Sequence, residues 1–274
     1  MELTTLQFEV IEDGSGGAGI GIIRLNRPDA LNALNSTLVR ELGQLLEAQQ
    51  SAGLRALILT GNGRAFAAGA DISEMSDYTA LKAAHFARIG QRSLSLLEHF
   101  PAPTIAAVNG FALGGGCELA MCCDFILAAA NTFDDKGRPR GGAVFGQPEV
   151  KLGVIPGFGG TQRLVRRVGR QRGLELMMTG RNVLAAEAVS IGLALQIEEG
   201  DVLEGAMKLA GKIARNGPAA VALVKRAVHE TDRLDIDAGL AAEASLFALC
   251  FATEDQTEGM AAFLNKRRAA FTGR

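Results

Sequence analysis

The sequence has few of the side chains that bind metals or form nucleophilic triads. It contains four cysteines and three histidines in 274 residues. No CxxC pair, HExxH helix or nucleophile elbow is present, which argues against a common zinc site or a histidine-based triad. The cysteines stand among apolar neighbours, and we expect them to be reduced thiols in the core. They are Cys117, Cys122, Cys123 and Cys250.

A charge excess and a long apolar run are also missing. Lys and Arg total 28 against 30 Asp and Glu, a formal net charge of −2, so no bulk charge indicates nucleic acid or a membrane surface. The longest apolar stretch, 119–130, is interrupted by Asp124 and is too short to span a bilayer. The polar N-terminal residues do not form a secretory signal, so we expect a cytoplasmic protein. The sequence contains no P-loop, and no GxGxxG follows the first predicted strand. The usual signatures of a nucleotide cofactor are therefore missing.

The apolar pattern of the first half alternates between strand and helix. Apolar runs bounded by turn residues predict strands, and leucines at helical spacing predict helices between them. Strand–helix–strand order favours a largely parallel α/β sheet. Beyond about residue 160 the pattern is helical, so we divide the chain into a core over 1–200 and a helical region over 201–274. The predicted strands are 20–25, 54–60, 104–108 and 125–129, and the predicted helices include 79–100, 117–123 and a pair within 235–274.

Three glycine-rich segments follow strands or turns. Glycine allows a ligand to approach the backbone closely, and N–H groups at a helix start favour negative charge. Tight turns between packed elements would explain the same glycines, and the residues alone leave both readings open. The segments are 66–71, 109–118 and 155–161.

Glu118 and Glu149 lie in apolar surroundings. A carboxylate is costly to bury without a partner, and burial raises its pKa toward the range useful for proton transfer. Two such groups facing one substrate could divide the work, with one taking a proton and the other giving one. Each could instead be a surface charge or a helix-start acid.

An ordered set of motifs across nearly the whole chain, from about Ile20 to Phe271, resembles the enoyl-CoA hydratase/isomerase, or crotonase, family. The resemblance implies an α/β fold, a spiral of ββα units followed by a C-terminal helical trimerisation region. The motifs are 26–28 (NRP), 30–34 (ALNAL), 65–72 (AFAAGADI), 106–110 (AAVNG), 114–119 (GGGCEL), 145–149 (FGQPE), 153–157 (GVIPG) and 159–164 (GGTQRL).

The resemblance also assigns roles. It implies that the N–H groups of Ala70 and Gly115 bind the thioester oxygen. Glu118 would help to activate a water, Glu149 would deliver a proton to Cα, and Gly157 would help to hold that water. Because both glutamates are kept, the expected activity is the hydration of trans-2-enoyl-CoA to 3-hydroxyacyl-CoA.

Coenzyme A would enter as part of the substrate, with no separate cofactor and no metal. A Δ3,Δ2-enoyl-CoA isomerase or another acyl-CoA reaction on the same scaffold is the alternative, and a non-catalytic RNA-binding homologue is a remote one. The expected assembly is a homotrimer or a dimer of trimers, without nucleic acid or membrane partners. The resemblance places substrate and CoA contacts at Ala30, Leu31, Ala68, Gly69, Asp71, Ile72, Gly114, Phe247 and Lys266.

The interval from Glu118 to Glu149 is longer than the family pattern. The additional residues, Asp134–Gly142, are polar and rich in Gly and Pro, which is typical of a surface loop. We expect an exposed hairpin whose removal leaves turnover unchanged. A contribution to the substrate entrance or to a subunit contact is the alternative.

Overall fold

Most of the strands belong to two β-sheets. The computed structural model describes residues 3–12, 19–231 and 234–274, so most of the predicted loop over 14–19 lies outside the described residues. The larger sheet has the order β1-β2-β3-β5-β7-β12, with β1 antiparallel to β2 and the remaining pairs parallel. Its strands are β1 (Leu6–Ile11), β2 (Ile20–Leu25), β3 (Ala56–Gly61), β5 (Thr104–Val108), β7 (Phe125–Ala129) and β12 (Gln196–Glu198).

The smaller sheet has the order β11-β10-β6-β4. Strands β4, β6 and β10 are parallel neighbours, and β11 closes one edge in the antiparallel sense. Because parallel neighbours end at the same edge, the segments that follow β4, β6 and β10 leave the sheet side by side. The strands are β4 (Ala65–Ala67), β6 (Phe111–Leu113), β10 (Val144–Gly146) and β11 (Val183–Leu184).

Helices complete a repeated ββα pattern. In two units, β3-β4-α2 and β5-β6-α4, the first strand joins the larger sheet, the second joins the smaller sheet, and a helix follows. The α/β prediction is therefore confirmed. The helices are α1 (Ser36–Gln49), α2 (Ile72–Met75), α3 (Ala80–Glu98), α4 (Gly115–Met121), α5 (Gly160–Val168), α6 (Arg170–Thr179), α7 (Ala185–Ser190), α8 (Val202–Ala214), α9 (Pro218–Thr231), α10 (Ile236–Cys250) and α11 (Glu254–Leu264).

Capping residues explain where several helices begin. Asn35 and Thr79 accept hydrogen bonds from N–H groups in the first turns of α1 and α3, as N-cap side chains do. Helix α4 begins at Gly115, two residues before the predicted start, because Gly114 adopts φ 49° and ψ −123° and turns the chain sharply out of β6.

Helix α8 covers one face of the larger sheet. Val202, Ala206 and Ala210 recur every four residues and pack in one buried cluster with Ile22 and Ile58. The division near residue 200 therefore falls directly before a helix that belongs to the packing of the sheet.

The last two helices expose large apolar side chains. Phe247 on α10 is 65% exposed, and Phe263 and Leu264 on α11 are 82% and 78% exposed. Single soluble chains rarely leave so many large apolar groups in water on adjacent elements. Among the described helices, none alone is long and apolar enough to cross a membrane. Only α10 and α11 taken together pass that test of length and composition, and they are bent by 79°.

The additional residues after β7 form a small hairpin. Strands β8 (Thr132–Phe133) and β9 (Pro139–Gly141) pair antiparallel, and both are exposed. Arg138 and Asp134 form an ion pair of 2.8 Å within it. The prediction of an exposed hairpin is confirmed.

Candidate active site

Three segments of interest leave the same edge of the smaller sheet. Residues 68–71 follow β4, Gly114 and Gly115 follow β6, and residues 147–149 follow β10. Since β6 lies between β4 and β10, the glycine turn lies between the other two segments. The carboxyl ends of parallel strands commonly carry ligand sites, and this edge gathers the predicted groups.

The N–H groups of Ala70 and Gly115 are free donors. Leu34 donates to the carbonyl of Gly69 at 2.8 Å and accepts from the N–H of Asp71 at 3.0 Å, which leaves the N–H of Ala70 outside the ladder. Gly115 is the first residue of α4, where N–H groups have no helical partner. Among the described residues neither N–H has an acceptor. A Cβ built on Gly115 would lie 3.5 Å from the Ala70 nitrogen, so the two donors are adjacent.

Glu118 is a buried carboxylate held by two backbone donors. It is 1% exposed, and its Oε1 accepts from the N–H of Phe158 at 2.8 Å and of Gly160 at 2.6 Å. Burial raises the pKa of this carboxyl, and the N–H groups of Gly160 and Phe158 oppose that rise. The carboxylate is thus fixed in one orientation while part of its hydration is lost.

Glu149 lies at the start of a short 3-10 turn after β10 and is half-buried. Burial raises the pKa of its carboxyl to about 7, and the negative charge of Glu118 contributes in the same direction. With its nitrogen turned toward Glu149, the Gln147 amide donates at 3.0 and 3.2 Å to the two carboxylate oxygens. A Cβ on Gly114 would lie 2.8 Å from Oε1 of Glu149, so this carboxyl rests against the glycine turn.

The arrangement combines two carboxyl groups in different environments with two free donors. Near neutral pH, Glu149 carries a proton for a substantial fraction of the time, as a general acid requires. The paired N–H groups can stabilise negative charge on a carbonyl oxygen. Within the described ranges, no group of three His, Cys, Asp or Glu side chains is placed to hold a metal ion.

Gly157 lies in the loop before α5, and its expected role in holding the water stays a prediction. The carbonyl of Gly157 accepts a hydrogen bond from Nε2 of Gln91 at 2.9 Å, and the next residues supply the donors to Glu118, from Phe158 and Gly160. Neither of these two donors was predicted individually. The consecutive glycines at 159–160, directly before a helical pattern, were the available signal, because N–H groups at a helix start lack partners.

The residues expected to contact the adenine part of CoA lie in a tight turn before α1. Ala30 ends a 3-10 turn, and Leu31 follows it with φ 50°, an uncommon backbone conformation for a leucine. The N–H of Ala68 donates to the carbonyl of Leu31 at 3.0 Å, so this turn is joined to the segment that carries Ala70.

Asp71, the residue after Ala70, is held in place by an ion pair and hydrogen bonds. Asp71 forms an ion pair of 2.9 Å with Arg27. Hydrogen bonding from the Ser73 hydroxyl and from Arg27 lowers the pKa of Asp71 despite partial burial. Ile72 begins α2 and is 50% exposed, beside the strand edge that carries the donors.

Phe247 and Lys266 are not brought to this edge by the single chain. Phe247 lies on α10 with its ring 5.2 Å from that of Phe251, and Lys266 follows α11 with φ 52° and an exposed side chain. No hydrogen bond or ion pair in the described part of the chain joins either residue to the glutamates.

Comparison with known proteins agrees with this geometry. Residues 15–274 match the enoyl-CoA hydratase/isomerase family, and the chain belongs to that family. It is 46% identical to the crotonyl-CoA hydratase of Syntrophomonas wolfei, over 92% of this chain and 94% of the relative. It is 44% identical to the short-chain-enoyl-CoA hydratase of Clostridium acetobutylicum, over 91% and 92% respectively.

Solved structures show the same fold. The enoyl-CoA hydratase crystal structure from Bacillus anthracis superposes with a TM-score of 0.89 at 35% identity, covering 99% of this chain and all of the other. A Geobacillus kaustophilus enoyl-CoA hydratase subunit gives 0.88 at 40% identity, with complete coverage of both chains. The fold is the crotonase fold, as the sequence motifs predicted.

Proposed function

We propose that this chain is an enoyl-CoA hydratase, which adds water to a trans-2-enoyl-CoA and yields the 3-hydroxyacyl-CoA. The observation that carries the proposal is the placement of Glu118 and Glu149 beside the glycine turn that exposes the Gly115 donor. An oxyanion site alone would serve many acyl-CoA reactions, whereas water addition needs a base and an acid at adjacent carbons. The names of the relatives support the same activity.

The reaction assigns one task to each group. Donors at Ala70 and Gly115 polarise the thioester carbonyl and stabilise the enolate that forms. Glu118 accepts a proton from water while the water oxygen bonds to Cβ and the double-bond electrons move toward the carbonyl oxygen. Glu149 gives its proton to Cα as the enolate collapses. Proton exchange with solvent then restores both carboxyl groups.

A short acyl group suits the space beside the donors. Phe158 is 3% exposed, its ring centroid lies 5.2 Å from that of Phe86, and its Cδ2 would be 3.4 Å from a Cβ on Gly115. This buried aromatic pair would therefore limit the length of the acyl chain that fits next to the thioester. The short-chain names of two relatives agree with that limit.

The exposed apolar faces of α10 and α11 suit contact with further copies of the chain. Burial of residues such as Phe263 and Leu264 would remove a large apolar area from water. In the trimer or dimer of trimers that the family resemblance implies, Phe247 and Lys266 would reach CoA bound to a neighbouring subunit. Light scattering coupled to size-exclusion chromatography measures the assembly.

Product analysis tests the proposed activity. With trans-2-hexenoyl-CoA as substrate and no added cofactor, a hydratase gives a product heavier by the mass of one water. An isomerase gives a product of unchanged mass with a shifted double bond, and that result would replace the proposal with the alternative.

A further inference from the structure

An ion pair lies directly behind the loop that holds Glu118. Arg163 on α5 donates from Nε and Nη2 to the two oxygens of Glu98, at 3.0 and 2.6 Å. Glu98 is the last residue of α3, and the two side chains are only 15% and 25% exposed. A bidentate pair of this kind fixes the plane of the guanidinium, which a single contact does not.

The remaining amino group of Arg163 reaches the glutamate loop itself. Nη1 donates to the carbonyl of Phe158 at 2.8 Å, and the N–H of the same residue donates to Glu118. Gly159 has φ 110°, and a Cβ there would lie 2.1 Å from Nη1. The loop therefore lies closely against the guanidinium, and a larger residue at position 159 would separate them.

We propose that Arg163, held by Glu98, is a positioning residue that orients the Phe158–Gly160 segment so that its two N–H groups present Glu118 to the reacting water. The proposal rests on the proposed hydration, in which Glu118 accepts the proton of that water. Neither Arg163 nor Glu98 touches the reacting atoms. Both act through the loop.

Charge gives this role a signature that packing alone would not give. Among the described residues, the charged or titratable groups near Glu118 are Arg163 with its partner Glu98, Glu149, and the buried thiols of Cys117 and Cys122. Burial raises the pKa of both thiols, so they are neutral, and the Arg163 cation lowers the pKa of Glu118. Removal of that cation should raise the pKa of Glu118 and move the acidic limb of the rate profile to higher pH.

The experiment measures crotonyl-CoA hydration by Arg163→Gln, Arg163→Lys and Glu98→Gln as a function of pH. Arg166→Gln is the matched control, because Arg166 is exposed on the same helix and, within the described ranges, its side chain bonds only to Gln162. We expect Arg163→Gln to lower kcat by about 10- to 100-fold with little change in KM, since misplacement of a catalytic group by an ångström has effects of that size. Its acidic limb should move upward. Arg163→Lys should keep the limb near its normal position with a reduced kcat, because an ammonium lacks the planar fork.

Amide hydrogen exchange at 158–160 provides a readout that does not need the reaction. Faster exchange there in Arg163→Gln and Glu98→Gln, but not in the control, supports the positioning role even if the wild-type protein fails to hydrate crotonyl-CoA and the proposed function falls. If Arg163→Gln does not fold, the double variant Glu98→Gln/Arg163→Gln carries the test without an unpaired buried charge. Folded variants with normal exchange, kcat and pH profile would overturn the proposal.

Discussion

The contact between Gly114 and Glu149 makes a sharp prediction for Gly114→Ala. The new Cβ would lie 2.8 Å from Oε1 of Glu149, which is shorter than the 3.4 Å at which ordinary van der Waals contact begins. The Glu149 carboxyl is the free end of a flexible side chain, so we expect the carboxyl, and not the backbone, to move by about 0.6 Å. Gly114 also has φ 49° and ψ −123°, and an alanine there costs about 1–3 kcal/mol of backbone strain.

The expected result is a fall of about 10- to 100-fold in kcat for crotonyl-CoA, because a misplacement approaching an ångström costs up to about a hundredfold. Gly169→Ala is the matched control. Gly169 has φ 81° and ψ 156°, so it carries similar backbone strain, yet nothing lies within 4 Å of its added Cβ. The midpoint temperature of thermal unfolding should fall in both variants, while kcat should fall only in Gly114→Ala. Equal kcat in the two folded variants would refute the reasoning.

Three further predictions concern the acid, the limit on acyl-chain length and the hairpin. Burial raises the pKa of Glu149 to about 7, and Glu149 must be protonated to act as the acid. Above pH ~7, kcat/KM should therefore decline about tenfold for each pH unit. A constant kcat/KM up to pH ~9 would contradict the role of Glu149 as the acid. Phe158→Ala should raise the ratio of kcat/KM for octenoyl-CoA to that for crotonyl-CoA by about tenfold or more, and Phe158→Leu should change it less, since pocket contacts discriminate methylenes by about that factor. An unchanged ratio would mean that Phe158 does not limit the acyl chain. A deletion that joins Asn131 to Gly142 should leave turnover within about twofold, because only the two exposed strands and the turn between them are removed. Loss of turnover in a folded deletion variant would assign the hairpin a role at the substrate entrance or a subunit contact.

Four of the six strands of the larger sheet were predictable because their composition is distinctive, whereas β1 and β12 were not predicted. The predicted bounds of 20–25, 104–108 and 125–129 match β2, β5 and β7, where apolar runs end at turn residues. Strands β4 and β6 have three residues each, too few to show a period of two, and were missed. The smaller sheet is built largely from such strands, so the edge that gathers the site could not be derived from periodicity.

The sequence likewise indicated some residues of the site and not others. Glu118 and Glu149 stood out as acids in apolar segments, and the structure places both at the glycine turn. The donors to Glu118 from Phe158 and Gly160 are backbone groups 40 residues or more away, and only the glycines at 159–160 before a helical pattern indicate them. The roles of Phe247 and Lys266 depend on a neighbouring copy and stay predictions.

The most direct test of the account follows the loss of conjugated-thioester absorbance when crotonyl-CoA meets the wild-type protein and Glu149→Gln. We expect rapid loss with the wild type. In Glu149→Gln the rate should fall by about a hundred- to ten-thousand-fold, the usual contribution of a general acid, with the fold retained. A folded wild-type protein that leaves the absorbance unchanged, or a variant as fast as the wild type, would contradict hydration with Glu149 as the acid.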